Sequence, residues 1–226
     1  MQVHINNWLG MTLLYFTVIH PTFAQDHPHG MHNQANKHMH SQKFDTLVAR
    51  FENEERAKWQ QPEKVIALMG NLKKATVVEI GAGTGYFSFR IAPQAKQVIA
   101  ADVDERFLEY INQKIQKENL SAKIQTRKIP YDSPLLEREE ADWVLLVNVY
   151  HHIENRVDYF QKTKEGLKSK GKLMIVDFKK GDLPHGPSDE MKLSADAVKQ
   201  ELEKAGFNKI QIDQNTLEYQ YILIAE

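Results

Sequence analysis

Short apolar segments alternate with amphipathic segments along most of the chain, and this alternation constrains the fold more than any other feature. The apolar segments are rich in Val and Ile, which is typical of strands covered on both faces. We predict strands at Thr76–Ile80, Gln97–Asp102, Ala122–Thr126, Asp142–Asn148 and Lys172–Phe178. Helical periodicity falls between them, so the pattern predicts a parallel α/β sheet.

The last two strand-like runs break this alternation. The segments NKIQIDQN and TLEYQYILIAE, residues 208–215 and 216–226, are separated only by a short polar turn. A parallel connection needs a dozen or more residues, so this pair must form an antiparallel hairpin. The prediction is therefore an α/β fold with a doubly wound, mostly parallel, seven-stranded Rossmann-like sheet that ends in a C-terminal antiparallel hairpin.

Residues 44–70 precede the first strand and have a helical pattern. One predicted helix carries Phe44, Leu47, Val48 and Phe51 on one face, and a second short helix begins near Pro62. We interpret Trp59 as packing between these helices. A chain of 226 residues with 42% hydrophobic residues can bury one sizeable core. We therefore predict one domain over residues 44–226, with helices at 44–70 and the core at 71–226.

The first 24 residues contain no Asp, Glu, Lys or Arg. Their apolar stretch, Trp8 to Ile19, is shorter than the roughly 20 residues of a membrane span and is followed by small residues around Ala24. This pattern predicts a signal peptide over residues 1–24, export to the periplasm or outside, and no stable membrane insertion after cleavage. The alternatives are a membrane-anchored protein with an uncleaved segment and a cytoplasmic protein.

A histidine-rich segment follows the signal-like residues. It contains five histidines, His27, His29, His32, His38 and His40. Imidazoles suit copper, nickel or zinc, but the segment has few apolar residues and no spacing typical of a closed site. We predict a disordered linker over residues 25–43, with a weak metal site at these histidines as the alternative.

The segment GAGTG, residues 81–85, follows the first strand and opens a helix, so the backbone can approach a ligand. A nucleotide phosphate loop would end in Gly-Lys-Ser/Thr, and a dinucleotide site would have the spacing G-x-G-x-x-G. Neither is present. Glu79 just before the glycines suits an ammonium group, and Asp102 at the end of the second strand suits a ribose diol. Amine and ribose without diphosphate indicate S-adenosylmethionine.

Composition excludes several other functions. The net charge is −1 and no long basic run occurs, which argues against nucleic acid as a partner. The chain has no cysteine, so disulfides, thiolate metal sites and a cysteine nucleophile are excluded. The oligomeric state does not follow from the sequence.

Three segments, VVEIGAGTGYFSFRIA, VIAADVDERFLEYI and ADWVLLVNVYHHIEN, resemble in order and spacing the first, second and fourth motifs of the class I S-adenosylmethionine-dependent methyltransferases. The resemblance covers roughly residues 51–226. It implies an enzyme that binds S-adenosylmethionine through Glu79, Gly81, Ala82, Gly83, Gly85, Asp102, Val103, Ile129 and Asn148. In this family the glycine loop wraps the methionine portion, an acid binds the ribose and apolar side chains border the adenine.

One position departs from the family pattern. An acid that receives the adenine amino group often follows the third strand, but Lys128 and Ile129 stand there. Either Asp132 substitutes for it, or backbone and apolar contacts hold the adenine. The segment FENEERAKWQQP also resembles the pre-core segment of a subgroup of bacterial methyltransferases, and the resemblance implies that it closes over the pocket.

The residues after the fourth strand lie where open α/β sheets bind ligands. His151 and His152 there are candidate general bases, with a purely structural histidine pair as the alternative. Asp177 and His185, with the loop at residues 179–192, are candidates to complete the acceptor pocket. We expect methyl transfer to a small-molecule acceptor by in-line displacement. The alternative is a non-catalytic ligand- or metal-binding protein on this fold, with the His-rich segment as its working part.

Overall fold

A computed structural model describes residue 36 and residues 41–226 of the chain. The predictions for the signal-like residues 1–24 and for His27, His29, His32, His38 and His40 lie outside the described residues. Within the described part, no helix is long and apolar enough to cross a membrane.

Seven strands form a single sheet in the described part of the chain. They are β1 (Thr76–Ile80), β2 (Gln97–Asp102), β3 (Ile124–Lys128), β4 (Ala141–Val147), β5 (Leu167–Phe178), β6 (Ile210–Asp213) and β7 (Gln220–Ala225). Their order is β3-β2-β1-β4-β5-β7-β6, and β7 runs antiparallel to both β5 and β6. The pairs among the first five strands are parallel. This confirms the predicted mixed sheet and its C-terminal hairpin.

Helices cover both faces of the sheet. They are α1 (Phe44–Phe51), α2 (Glu55–Gln60), α3 (Pro62–Ala67), α4 (Ser88–Ile91), α5 (Glu105–Glu118), α6 (Arg156–Gly166) and α7 (Ala195–Lys204), with 3₁₀-helices at Tyr150–His152 and Asp189–Met191. Apolar side chains of α3, α4 and α5 pack on one face, and those of α6 and α7 pack on the other. Each strand of the centre therefore buries residues on both sides, as its continuous apolar sequence predicts.

The structure differs from the sequence prediction in the segment before β1. Two helices were expected over residues 44–69, whereas three short helices form. Residues 52–54 separate α1 from α2, and Gln61, with a left-handed φ of +46°, separates α2 from α3. Pro62 begins α3, where its missing N–H needs no partner.

Three strands have limits that differ from the prediction. β3 begins and ends two residues later than expected, β4 begins and ends one residue earlier, and β5 begins at Leu167 rather than Lys172. The extension of β5 comes with a register shift, because Ala141 pairs with Leu167 while Trp143 pairs with Lys172. A bulge of this kind leaves no trace in apolar periodicity.

The strand order reverses between β1 and β4, which lie side by side at the centre of the sheet. Open α/β sheets bind ligands in the crevice at the carboxyl ends of such a pair. Here those ends lead into the glycine loop after β1 and into Asn148 after β4. The fold therefore brings the predicted cofactor residues and the predicted acceptor residues to one edge.

Candidate cofactor and acceptor site

The glycine loop is anchored to the end of β2 by backbone hydrogen bonds. The N–H groups of Gly81 and Ala82 donate to the Ala101 carbonyl at 2.8 and 3.0 Å. The Gly83 N–H donates to Asp102 Oδ2 at 2.8 Å. Hydrogen bonds within the protein thus hold Asp102, the predicted ribose ligand, against the glycine loop that is predicted to bind the methionine portion.

Glycine is required in this loop by the protein itself. Gly81 has a φ of +69°, and a Cβ there would lie 2.4 Å from Val149 Cγ2. Gly83 has a φ of +54°, and its Cβ would lie 3.3 Å from the Phe51 ring. L-residues with a side chain rarely adopt this conformation. Glycine at these two positions therefore allows Val149 and Phe51 to pack against the loop. It also leaves the loop backbone accessible to a ligand.

Glu79 is a buried carboxyl at the end of β1. It accepts a hydrogen bond of 2.5 Å from the Ser88 hydroxyl, and burial raises its pKa to about 7. The Ser88 bond and the positive charge of Arg56 oppose this rise without cancelling it. An ammonium group brought beside Glu79 would favour the ionised form, so the structure fits the role predicted from the sequence.

Asp102 is buried at the end of β2. Its Oδ1 accepts the Asp104 N–H at 2.9 Å and its Oδ2 accepts the Gly83 N–H, while burial raises its pKa to about 6. The Val103 N–H also bonds to this carboxylate. The two oxygens together can accept four hydrogen bonds, so a lone pair remains that a ribose hydroxyl can use.

The residues predicted to border the adenine lie together beside Asp102. The Ile129 N–H donates to the Asp102 carbonyl at 3.1 Å, and its side chain is buried. Val103 is half-buried, and Lys128 Nζ donates to its carbonyl at 2.6 Å. Asp132, the proposed substitute for the missing acid, is exposed.

Asn148 takes part in a chain of side-chain hydrogen bonds that the sequence did not reveal. Arg56 Nε donates to Gln60 Oε1 at 2.5 Å, Gln60 Nε2 donates to Gln220 Oε1 at 3.2 Å, and Gln220 Nε2 donates to Asn148 Oδ1. Gln60 and Gln220 are fully buried. We call these four residues the amide relay; it joins α2 to the ends of β7 and β4.

The structure brings a predicted base and a predicted residue of the acceptor pocket into contact. His151 Nδ1 lies 3.0 Å from both carboxylate oxygens of Asp177, and both side chains are buried. The Phe178 N–H also donates to Asp177 Oδ1 at 2.8 Å, which fixes the carboxylate. A carboxylate only accepts hydrogen bonds, so this contact favours the tautomer in which Nδ1 of His151 is the donor.

His152, the other predicted base, packs against His151 with ring centroids 4.3 Å apart. Its carbonyl accepts a hydrogen bond of 3.3 Å from Asn36 Nδ2. Asn36 thus contacts the residues that follow β4.

A buried ion pair positions the 3₁₀-helix that carries His151. Glu201 on α7 accepts hydrogen bonds from Tyr150 and from Arg156, with Oε2 2.6 Å from both Tyr150 Oη and Arg156 Nε. Arg156 Nη1 also donates to the Ile153 carbonyl at 3.0 Å. These bonds hold the residues on either side of His151 and His152.

The expectation that Trp59 packs between helices is wrong. Its ring stacks on His185 at 4.9 Å and lies 5.7 Å from Phe178, so it contacts the end of β5 and the loop at residues 179–192. The end of α2 lies over the edge of the sheet, where Gln60 donates to Gln220 at the start of β7. The predicted pocket residue His185 is therefore joined to the N-terminal helices.

Aromatic side chains of α1 lie over the cofactor side of the same edge. The Phe51 ring stacks on Phe107 of α5 at 5.6 Å, and Phe44 lies 5.2 Å from Phe107. Together with the contact between Phe51 and Gly83, these rings cover the glycine loop.

The donor set and the unsatisfied polar atoms of this edge fit an adenosyl amino acid. Thr84 Oγ1, in the glycine loop, and Tyr86 Oη, just after it, are buried and have no hydrogen-bond partner in the described part of the chain. Buried polar atoms are costly unless a ligand or water satisfies them. Among the same residues there is no cluster of three or more His, Cys, Asp or Glu side chains suited to a metal ion.

Comparison with known proteins decides the family. A family profile described as "Methyltransferase domain" matches residues 71–223. The chain belongs to this methyltransferase family. Its members' use of S-adenosylmethionine agrees with the donor set, so the predicted enzyme class and cofactor are confirmed. The non-catalytic alternative is not favoured.

Two curated relatives and one solved structure are similar to this methyltransferase. An uncharacterized methyltransferase of Schizosaccharomyces pombe is 28% identical over 121 residues, which is 49% of this chain and 42% of that protein. A Mycobacterium tuberculosis protein named "probable S-adenosylmethionine-dependent methyltransferase" is 29% identical over 138 residues, 58% of this chain and 48% of that protein. The chain therefore covers less than half the length of these relatives.

The solved structure is a SAM-dependent methyltransferase from Aquifex aeolicus. It superposes with a TM-score of 0.73 and 23% identity, covering 81% of this chain and 98% of that one. At this identity the likeness establishes a shared fold.

Proposed function

We propose that this methyltransferase transfers a methyl group from S-adenosylmethionine to a small-molecule acceptor that loses a proton to His151. The observation that carries the proposal is the buried contact of His151 Nδ1 with both oxygens of Asp177 at the carboxyl edge of the sheet. Two histidines in sequence are unremarkable, but a buried histidine with its tautomer set by a carboxylate is equipped for proton transfer.

The bound cofactor supplies the electrophilic methyl group. In-line displacement needs the acceptor atom held in line with the breaking bond and water kept away. Nε2 of His151 takes the acceptor's proton, and Asp177 stabilises the imidazolium that forms. Asp177 contacts His151 rather than the acceptor, so we assign it a positioning role.

Two features support a small acceptor. The aromatic rings of α1 and the stack of Trp59 on His185 both cover this edge, which leaves little room for a macromolecule. The net charge of −1 provides no attraction for a polyanion.

The test uses the full chain, S-adenosylmethionine with a radiolabelled methyl group, and an extract of the source cells. After incubation the label is followed in small-molecule, protein and RNA fractions. We expect the label in the small-molecule fraction, and its loss with His151→Ala. Label confined to protein or RNA contradicts the small acceptor, and full turnover by His151→Ala contradicts the general base.

We also propose that residues 1–24 direct export of the protein. The apolar stretch without charged residues and the small residues around Ala24 support this. Fractionation of cells that express the chain with a C-terminal tag tests it. A mature protein that begins near Gln25 outside the cytoplasm is expected. An unprocessed chain in the cytoplasm or in the membrane fraction contradicts export.

A further inference from the structure

Four rings lie together on the acceptor side of the sheet edge, at the end of β5. The Trp59 ring is 5.7 Å from the Phe178 ring and stacks on His185, with ring centroids 4.9 Å apart and planes 17° apart. His185 in turn meets the Tyr219 ring edge-on at 5.4 Å. We call these four residues the ring cluster. Phe178 directly follows Asp177, the partner of the proposed base, so the cluster borders the place where the acceptor is expected.

His185 occupies one face of Trp59 without being fastened there. Within the described part of the chain, residues 182–187 make no hydrogen bond, and the interactions of His185 are its two ring contacts. Hydrogen bonds close the base of this loop instead, where Lys192 Nζ donates to the Gly181 carbonyl at 2.7 Å. Packing alone holds the tip that carries His185, so another planar ring can take its place on Trp59.

The lysines at the start of this loop bind backbone groups of the protein. Lys179 Nζ donates to the carbonyls of Leu217 and Glu218, both at 2.8 Å. Lys180 Nζ donates to the Asp189 carbonyl at 2.6 Å. A carboxylate or phosphate acceptor calls for a charge-assisted donor at the site. Because these ammonium groups are used within the protein, the ring cluster favours an uncharged planar acceptor over an anionic one.

The proposed base indicates which group of a planar acceptor is methylated. An aromatic hydroxyl has an ordinary pKa of about 10, so it becomes a good nucleophile only when a positioned base removes its proton. A carboxylate is already ionised near neutral pH, and a neutral amine has a lone pair without losing a proton. An aliphatic hydroxyl holds its proton far more strongly. A histidine such as His151 therefore suits an aromatic hydroxyl best.

We propose that the acceptor is an aromatic hydroxyl compound whose ring stacks on Trp59 in place of the His185 imidazole. This rests on the proposed function, because it identifies the acceptor of the same methyl transfer. As the acceptor oxygen bonds to the methyl carbon, the bond from that carbon to sulfur breaks and the hydroxyl proton passes to Nε2 of His151. The products are an aryl methyl ether, S-adenosylhomocysteine and a proton that His151 releases to water.

One experiment identifies the linkage of the label in the small-molecule product that the full chain forms in an extract of the source cells. A methyl ester releases labelled methanol in mild alkali. An aryl methyl ether is stable there and releases labelled methyl iodide in hot hydriodic acid, whereas an N-methyl group does neither. We expect the ether. An ester or an N-methyl product overturns this proposal while the small acceptor stands, and label in no small molecule overturns the proposed function with it.

A second experiment measures stacking on Trp59 without turnover. Calorimetry on the full chain with S-adenosylhomocysteine bound compares 2-naphthol with decahydro-2-naphthol, which has the same skeleton but no planar ring. We expect the wild type to bind 2-naphthol about 2- to 10-fold more tightly, as is usual for an aromatic pair. Trp59→Leu should remove this preference, and Trp59→Phe should retain most of it. Equal binding of the two compounds, or no binding of 2-naphthol, overturns the stacking site.

His185→Ala separates displacement of the imidazole from a structural role. If the acceptor ring replaces the imidazole, this variant frees the Trp59 face and should tighten 2-naphthol about 2- to 10-fold. Weaker binding shows that His185 only holds the loop, which overturns the proposal even if Trp59→Leu does not fold. Trp143→Phe is the control, because Trp143 lies near the amino end of β4 beside Lys172 and should leave both affinities unchanged.

Discussion

Replacing Glu79 by Gln tests whether burial of this carboxyl costs the cofactor-free protein stability. Burial raises its pKa from 4.5 to about 7, because the ionised form is removed from water. Each pKa unit corresponds to about 1.4 kcal/mol, so the ionised carboxyl destabilises the folded state by about 3 kcal/mol. Gln retains the shape of Glu and can accept the Ser88 hydrogen bond, but it carries no charge.

The pH dependence follows from the direction of this pKa change. Between pH 4.5 and 7 the folded protein holds the proton of Glu79 more strongly than the unfolded chain does. The free energy of unfolding therefore falls as the pH rises through this window, and the loss is complete above pH 7. Glu79→Gln should exceed the wild type by about 3 kcal/mol at pH 8 and by less than about 1 kcal/mol at pH 5.

The assay is denaturant unfolding and thermal melting without cofactor at pH 5, 6, 7 and 8. For a domain of this size the gain at pH 8 corresponds to a rise in Tm of about 6–12 °C. Glu54→Gln, at an exposed position, serves as the control and should change nothing. An equal gain at pH 5 and pH 8, or a loss at both, would show that ionisation of Glu79 is not the cause.

Three further predictions concern the same edge of the sheet. Since an ammonium ligand favours ionised Glu79, the affinity for S-adenosylhomocysteine should rise about tenfold from pH 6 to pH 8, and calorimetry on Glu79→Gln should give a flat profile. His151→Ala should lower kcat about 10²- to 10⁴-fold, and Asp177→Asn should also lower kcat because it favours the wrong tautomer of His151. Both variants should retain equilibrium binding of S-adenosylhomocysteine. Loss of that binding would indicate a structural role for these residues. Gly81→Ala should lower the free energy of unfolding by about 2 kcal/mol or more, because its Cβ would lie 2.4 Å from Val149. The double variant Gly81→Ala with Val149→Ala should recover the steric part of this loss but not the roughly 1 kcal/mol cost of the left-handed backbone. No recovery would contradict the steric explanation.

Much of the fold could be predicted from local sequence because local periodicity determines it. The central strands bury residues on both faces, so their apolar runs are continuous, and the short turn before β7 forces an antiparallel pair. The glycine loop and the two acids could also be placed, because they directly follow or end predicted strands. Their positions at one edge are a consequence of parallel strand direction.

The amide relay could not be predicted from the sequence, because its members meet through tertiary structure. Gln220 reaches Asn148 only because β7 pairs with β5 in the register that places it opposite Phe178. Gln60 reaches Gln220 only because Gln61 turns the chain with a left-handed φ. Neither the register nor the turn has a distinct signal in composition or spacing, and Trp59 was misplaced for the same reason.

Helix α2 contacts both the cofactor side and the acceptor side of the site through residues on one of its faces. Arg56, Trp59 and Gln60 stand at i, i+3 and i+4, so they point the same way. Arg56 contacts Tyr86 after the glycine loop, and Trp59 contacts His185 in the loop at residues 179–192. Gln60 donates a hydrogen bond to Gln220 of the amide relay. A helix of six residues is not stable alone, so these contacts supply its order. The order of α2 therefore depends on contacts both beside the glycine loop and in the loop at residues 179–192.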